Sequence, residues 1–374
     1  MVDLLSQHKK LEQPILAAIR QVIESSAFIK GKEVADFEQN LAATLQVNHV
    51  IGCANGTDAL QIALMALDLH PGDEVIVPAF TYVATAEVIA LLGLVPVMVD
   101  VEEDTFNISL TGIARAITSR TKAIIPVHLF GQCSDMEPLM KLAESHHLWV
   151  IEDNAQSLGA TYTFSNGITK KAGTIGHIGC TSFFPTKNLG CMGDGGALMT
   201  DDPALAEKIR MIANHGQRKK YYHEVVGCNS RLDTLQAAIL NVKLQHLNEF
   251  LDARQKSGAF YQKALQNFGY GTLPVSLSNA LPTYNQFTLK IKGGLRDQFK
   301  DFLAQKGIPS MIYYPLPLYR QKAFSKYAPT GFSLPVTEKL CGSVLSLPIH
   351  TEMTDDELNY ISKTILDFKK DLRD

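Results

Sequence analysis

The chain has 374 residues, enough for two or three domains at about 150 residues each. Apolar residues make up 46% of it and charged residues 20%, the profile of a soluble globular enzyme. A formal net charge of −3 argues against a dedicated nucleic-acid binder, which would carry a basic stripe.

The first residues, MVDLLSQHKKLEQPI, lack an apolar core followed by a small-residue cleavage site, so no signal peptide is expected. A helix over about residues 13–25 follows, expected to pack on the smaller of two units. The longest apolar run, residues 89–99, is broken by Gly93 and Pro96 and falls short of the roughly 18 residues of a membrane span. Cys53, Cys133, Cys180, Cys191, Cys228 and Cys341 are scattered, with no C-x-x-C pair. Reduced thiols, no metal site and a cytoplasmic location are the expectation.

From residue 47 to 215, β-branched runs alternate with helical patterns. The runs are HVIGCA (from His49), EVIVPA (from Glu74), VPVMVDV (from Val95), KAIIPVHL (from Lys122), LWVIED (from Leu148), CTSFF (from Cys180) and GALMT (from Gly196). This alternation predicts an α/β domain with a mostly parallel sheet covered on both faces. Ligands of such sheets collect outside the carboxyl ends of the strands. A long helical pattern from Ser230 to about Leu265 reads as a spine. Beyond it lies a smaller α+β unit containing YNQFTLKI, RDQFKDFLAQKG and TDDELNYISKTILDFKKDL. The expected division is 1–30, an N-terminal helix; 31–245, the large domain; and 246–374, the small one.

Three features sit where the sheet predicts a crevice. Asp153 ends a buried strand, where a charge costs several kcal/mol unless it is paired. It is either the cap of a following helix or the partner of a buried cation. Asn55-Gly56-Thr57-Asp58 stands between a strand and a buried helix, a junction that offers backbone N–H groups and a hydroxyl to a phosphate. Many such junctions look alike, and Ser182 would add a second hydroxyl. Lys187 follows CTSFF in a segment dense with Gly190, Gly193, Gly195 and Gly196. Most lysines are simply solvated, but apolar, tight surroundings would lower this one's pKa and make it nucleophilic. The glycines match neither G-x-G-x-x-G nor a P-loop. An amine, a carboxylate, phosphate donors and a flat side chain are together what pyridoxal phosphate needs from a protein.

The order NGTDAL, PAFTYVATAE, VIEDNAQSLGA, TSFFPTKNLGCMGDGGA and NSRLDTLQAAIL resembles the DegT-type sugar-nucleotide aminotransferases, a branch of the fold-type I pyridoxal-phosphate enzymes, over nearly the whole chain. The resemblance implies that Lys187 forms the imine and shuttles protons, that Asp153 meets the ring nitrogen and that Gln156 bonds the ring hydroxyl. Tyr82 would stack on the ring, and Gly56, Thr57 and Ser182 would hold the phosphate. Asn229 would reach the phosphate of the neighbouring subunit, giving a homodimer with shared active sites. The dehydratase branch of the family carries histidine where this chain has Lys187, so transamination is implied.

Within the family, FPTKNLGCMGDGGA, NHGQRKKYYH and YYPLPLY are similar to enzymes that aminate position 3 of a nucleotide sugar. The nearest likeness is to UDP-2-acetamido-3-oxo-glucuronate aminotransferases, which take glutamate as donor and serve bacterial surface polysaccharide. A dTDP-3-oxo-6-deoxyhexose 3-aminotransferase is the alternative. A catalytically silent protein that keeps the fold as a sensor or binding module is the alternative of another class. Arg231 would bind a carboxylate of uronate or glutamate, or merely pair with Asp233. Similar enzymes usually read His-Tyr-Pro where this chain has Tyr313-Tyr314-Pro315, and both tyrosines are expected beside the sugar. Arg218-Lys219-Lys220 with Tyr221 and Tyr222 would suit a diphosphate and a uracil, or form a solvated loop. His128 reads as structural.

Overall fold

The computed structural model describes residues 1–369. The seven apolar runs become strands β1 (His49–Cys53), β2 (Glu74–Pro78), β3 (Val95–Val99), β4 (Thr121–Ile124), β5 (Trp149–Asp153), β6 (Ile178–Ser182) and β7 (Gly196–Thr200). They form one sheet in the order β1-β7-β6-β5-β4-β2-β3. Pairings from β6 to β3 are parallel, while β7 runs antiparallel to both of its neighbours.

The helices around and beyond this sheet include α1 (Leu4–Ser25), α2 (Lys32–Leu45), α3 (Gly56–Ala66), α4 (Ala84–Leu91), α5 (Leu110–Ala116), α6 (Met136–Ser145), α7 (Pro203–Ile212), α8 (Thr234–Leu244) and α9 (Leu247–Ala264). Successive side chains of a strand point to opposite faces, so each strand feeds two layers. Val75 and Val77 join the core of α3, α4 and α7, whereas Ile76 joins Ile113 of α5 and Leu139 of α6. A strand buried on both faces has no solvent side to display, which is why these runs are mostly apolar, with their polar residues mainly toward the strand ends.

The smaller unit holds β8 (Gly271–Thr272), β9 (Phe287–Ile291), α10 (Arg296–Gln305), β10 (Val344–Leu347) and α11 (Asp355–Leu366). Its three strands are antiparallel in the order β8-β9-β10. Phe287, Leu289, Phe299, Leu345 and Ile361 build its core.

Two expectations need correction. The spine read from Ser230 to Leu265 is two helices, broken at Gln245 and His246. The break falls where the chain changes cores: Leu240, Leu244, Leu247 and Leu251 serve the large unit, and Tyr261 and Leu265 serve the small one. The N-terminal helix does not sit chiefly on the smaller unit. Leu11 and Ile15 of α1 pack on Ile239 of α8 and Phe250 of α9, and Gln7–Thr351 and Lys10–Glu352 are its edge contacts to the later chain.

Between α1 and α8 lies a fully buried lysine. Lys243 Nζ donates to the Gly190 carbonyl at 2.7 Å and lies 3.1 Å from His8 Nε2, so it ties both helices to the segment that follows Lys187. Burial lowers its pKa to about 8, with Cys191 opposing the shift. Between that value and the ordinary 10.5, the unfolded chain holds the proton and the folded chain does not, so this group adds stability as pH rises. Lys243→Met removes the effect. The urea-unfolding free energy of the unmodified protein minus that of the variant should grow by up to about 3 kcal/mol between pH 7 and 10.5. A difference that stays flat over that range would show that Lys243 titrates normally.

Candidate active site

A cavity of about 470 Å³ opens where the sheet predicts it, within the usual range of roughly 300–1,000 Å³ for small-molecule sites. The carboxyl ends of β1, β5 and β6 supply Asn55, Asp153 and Ser182 to its wall.

β5 ends in two buried carboxylates that face opposite ways. Glu152 accepts from the N–H groups of Gly173 (2.8 Å), Ile175 (2.7 Å) and Gly176 (2.6 Å) and lies 2.7 Å from His128 Nε2. Ser134 N–H donates to His128 Nδ1, which assigns the ring proton to Nε2 and makes it the donor to Glu152. Burial alone would raise the Glu152 pKa, yet His128 and the backbone donors hold it below the ordinary carboxylate value. His128 lies outside the cavity lining.

Asp153 faces the cavity with fewer partners. Thr85 Oγ1 donates to Oδ2 at 2.7 Å, and Ala155 N–H donates to Oδ1 at 3.2 Å. Burial raises its pKa, and Thr85, Ala155 and Lys187 offset only part of that rise. No helix follows, since residues 155–159 form a turn, so Asp153 is not a helix cap. A cation set against it would hold it ionised.

Lys187 stands on the turn after β6, its N–H donating to the Phe184 carbonyl at 2.9 Å. Burial lowers its pKa to about 8, against the pull of Asp153. A useful fraction is therefore neutral, and nucleophilic, near neutral pH.

The phosphate candidates form a close-fitting cradle. Asn55 caps α3 by accepting from Asp58 N–H at 2.8 Å. A Cβ on Gly56 would lie 2.7 Å from Ser182 Cβ, and one on Gly196 would lie 2.5 Å from the Asn55 carbonyl oxygen. Only glycine lets these segments meet, and the helix amino end with the Thr57 and Ser182 hydroxyls offers donors to an anion. Gln156 is fixed at both ends: Oε1 accepts from Phe130 N–H (2.7 Å), and Nε2 donates to the Tyr314 hydroxyl (3.2 Å). Tyr82 is 57% exposed at the cavity wall, its ring centroid 6.3 Å from that of Tyr314. An amine of lowered pKa, a buried carboxylate short of a cation and a glycine-walled donor cradle fit pyridoxal phosphate.

The cavity thus gathers Gly56, Thr57, Tyr82, Asp153, Gln156, Ser182, Lys187, Tyr313 and Tyr314. It does not gather Asn229, which is exposed and bridges Asn214, or Arg231, which lines a separate cleft with Lys30 and Arg210. The basic loop also lies away from it. Arg218 pairs with Glu207 and Glu224, and Lys219 and Lys220 sit over the rings of Tyr222 and Tyr221. Sequence reasoning missed Thr85, Asp194 and Gln286. Two hydroxyls four apart, Thr81 just before α4 and Thr85 in its first turn, were the available signal for the first.

Residues 9–366 match the model of the DegT/DnrJ/EryC1/StrS aminotransferase family. A protein of Geobacillus stearothermophilus named pleiotropic regulatory protein is 44% identical, with 98% of each chain covered. The UDP-2-acetamido-2-deoxy-3-oxo-D-glucuronate aminotransferase of Pseudomonas aeruginosa is 46% identical, covering 93% of this chain and 94% of its own. The structure of NtdA from Bacillus subtilis with bound cofactor PMP superposes with a TM-score of 0.88 at 33% identity, covering 95% of this chain and 81% of its own. The chain belongs to the DegT/DnrJ/EryC1/StrS aminotransferase family, and its cofactor is pyridoxal phosphate.

Asp153→Asn keeps the size of the side chain and removes its charge. The turnover number should fall on the order of a hundredfold, as when one strong electrostatic stabiliser is lost. A change of under about threefold would show that the Asp153 charge does not act in the reaction.

Proposed function

From this family membership, we propose that the protein moves an amino group from glutamate to a 3-oxo nucleotide sugar, best read as UDP-2-acetamido-2-deoxy-3-oxo-glucuronate, for bacterial surface polysaccharide. The observation that carries the chemistry is the meeting of Lys187 and Asp153 in one cavity, with their pKa values displaced by the same burial. The Pseudomonas aeruginosa relative supports the sugar.

In this reading Lys187 would hold the cofactor covalently, and its amine would give protons to and take them from the substrate. Asp153 would meet the ring nitrogen, Gln156 the ring hydroxyl and Tyr82 the ring face. Gly56, Thr57 and Ser182 hold the phosphate. When bound, pyridoxal phosphate supplies the electron sink that one amino acid side chain cannot. Tyr313 and Tyr314 form the sugar side of the cavity. A silent sensor would have no need of a nucleophilic lysine opposite a buried carboxylate, so the catalytic reading is preferred.

The working unit is a homodimer in the cytoplasm. Asn229 is exposed away from its own cavity, as a residue serving a second subunit would be. Tyr82, Phe184 and Met192, on or near the lysine segment, leave apolar surface that a second copy would cover. Among the described residues, no helix is long and apolar enough to cross a membrane.

The substrate is tested by offering UDP-3-oxo-uronate and dTDP-3-oxo-6-deoxyhexose side by side with glutamate. Amination of the first should dominate; exclusive use of the second would transfer the assignment to the deoxysugar. The shared site is tested by mixing inactive Lys187→Ala and Asn229→Ala, Arg231→Ala proteins. Random exchange should restore about a quarter of the full specific activity, because half the dimers are mixed and each has one sound site. Confirmed exchange without recovery would place these residues within their own subunit.

A further inference from the structure

The cleft around Arg231 carries more positive charge than it can neutralise. It measures about 250 Å³, and its polar lining includes Lys30, Glu38, Arg210, Ser230 and Arg231. Arg210 donates to both Glu38 oxygens (3.3 and 2.9 Å) and to the Val50 carbonyl (3.3 Å), and Gly52 N–H also donates to Glu38 (2.8 Å). The one lining carboxylate is therefore taken by one guanidinium. Lys30 and Arg231 have neither a hydrogen bond nor an ion pair among the described residues, and the pairing of Arg231 with Asp233 does not form. Burial and the charges of Arg231 and Arg210 depress the Lys30 pKa, with Glu38 opposing them.

The two cations are held together by the backbone. Ile29 bridges Asp233, Thr234 N–H donates to the Phe28 carbonyl at 3.1 Å, and Gly31 N–H donates to Thr234 Oγ1 at 3.0 Å. A Cβ on Gly31 would lie 2.6 Å from Thr234 Cγ2, so the segment bearing Lys30 is seated directly on the one that follows Arg231. Lys30 itself has φ of 54°, an unusual conformation for a lysine, kept by this docking.

The cofactor cavity has the opposite imbalance. Its charged lining is Asp153, Asp194 and Lys187. With Lys187 committed to the cofactor, no other cation among the described residues lines the cavity for an anionic substrate. Glutamate brings two carboxylates, and a uronate brings one.

We propose that Lys30 joins Arg231 in a two-cation carboxylate site, which takes a carboxylate of the amino donor or of the uronate sugar. This rests on the reading that Asn229, two residues before Arg231, serves the partner's cavity. A guanidinium and an ammonium held side by side give a carboxylate charge-assisted bonds to both oxygens.

The test is Lys30→Met in the cofactor-loaded protein, with its two half-reactions followed separately through the cofactor's visible absorbance. At least one carboxylate substrate, glutamate or the UDP-3-oxo-uronate, should need about tenfold more for half-maximal effect. Its limiting rate should stay within about threefold, and Lys30→Arg should restore the concentration dependence. A shift with glutamate identifies the donor as the source of the carboxylate; a shift with the sugar identifies the uronate. By calorimetry, binding of UDP or dTDP alone should be unchanged. If neither carboxylate substrate shifts, or if the free nucleotides weaken as much as the substrates, the carboxylate site is overturned. Mixing Lys30→Met with Lys187→Ala separates this idea from the one beneath it. Loss of the defect in the exchanged dimers upholds both. A defect that persists keeps the carboxylate site and overturns its delivery to the partner.

Discussion

Two consecutive carboxylates buried at the end of β5 are the constraint on which the rest of the site depends. A buried charge must find partners or give up its ionisation. Glu152 finds four donors and becomes the point where the 173–176 turn and His128 are anchored. Because neighbouring residues of a strand face opposite ways, anchoring Glu152 turns Asp153 toward the cavity. There it has two donors and a raised pKa. The first carboxylate is satisfied by the fold, while the second is only partly compensated by Thr85, Ala155 and Lys187.

The same burial acts on the lysine with the opposite sign. Desolvation disfavours whichever form is charged, so it raises Asp153 and lowers Lys187. Two groups brought toward neutrality from opposite directions suit chemistry that moves protons near neutral pH. Their positions depend on contacts that tolerate no side chain, Gly56 against Ser182 and Gly196 against Asn55, and on Lys243, which grips the Gly190 carbonyl from below.

A single chain leaves this site electrically incomplete. Its cavity has carboxylates and one lysine, while unpaired cations lie in the cleft of Lys30 and Arg231. On the proposed reading, a second copy of the chain brings the two together around an anionic substrate. Exposed Tyr82, Phe184 and Met192 are consistent with that arrangement.

Strand identity was legible in the sequence because a strand buried on both faces is mostly apolar rather than alternating, and the runs from His49 to Gly196 are. The places of Asp153 and Lys187 followed, since residues just beyond such strands fall at the crevice. The break at Gln245 and His246 was not legible: no proline or glycine marks it, and it exists because the chain changes cores there. Nor was the docking of α1, whose apolar stripe would suit any matching surface until Ile239 and Phe250 are presented to it. The Thr85 bond to Asp153 spans 68 positions, and Lys30 and Arg231 line one cleft from some two hundred positions apart. Sequence by itself determined which residue types stand at strand ends and turns, because periodicity and backbone sterics are local. Only the tertiary structure decided which charges are paired and which are left open, because burial and charge pairing depend on segments distant in the chain.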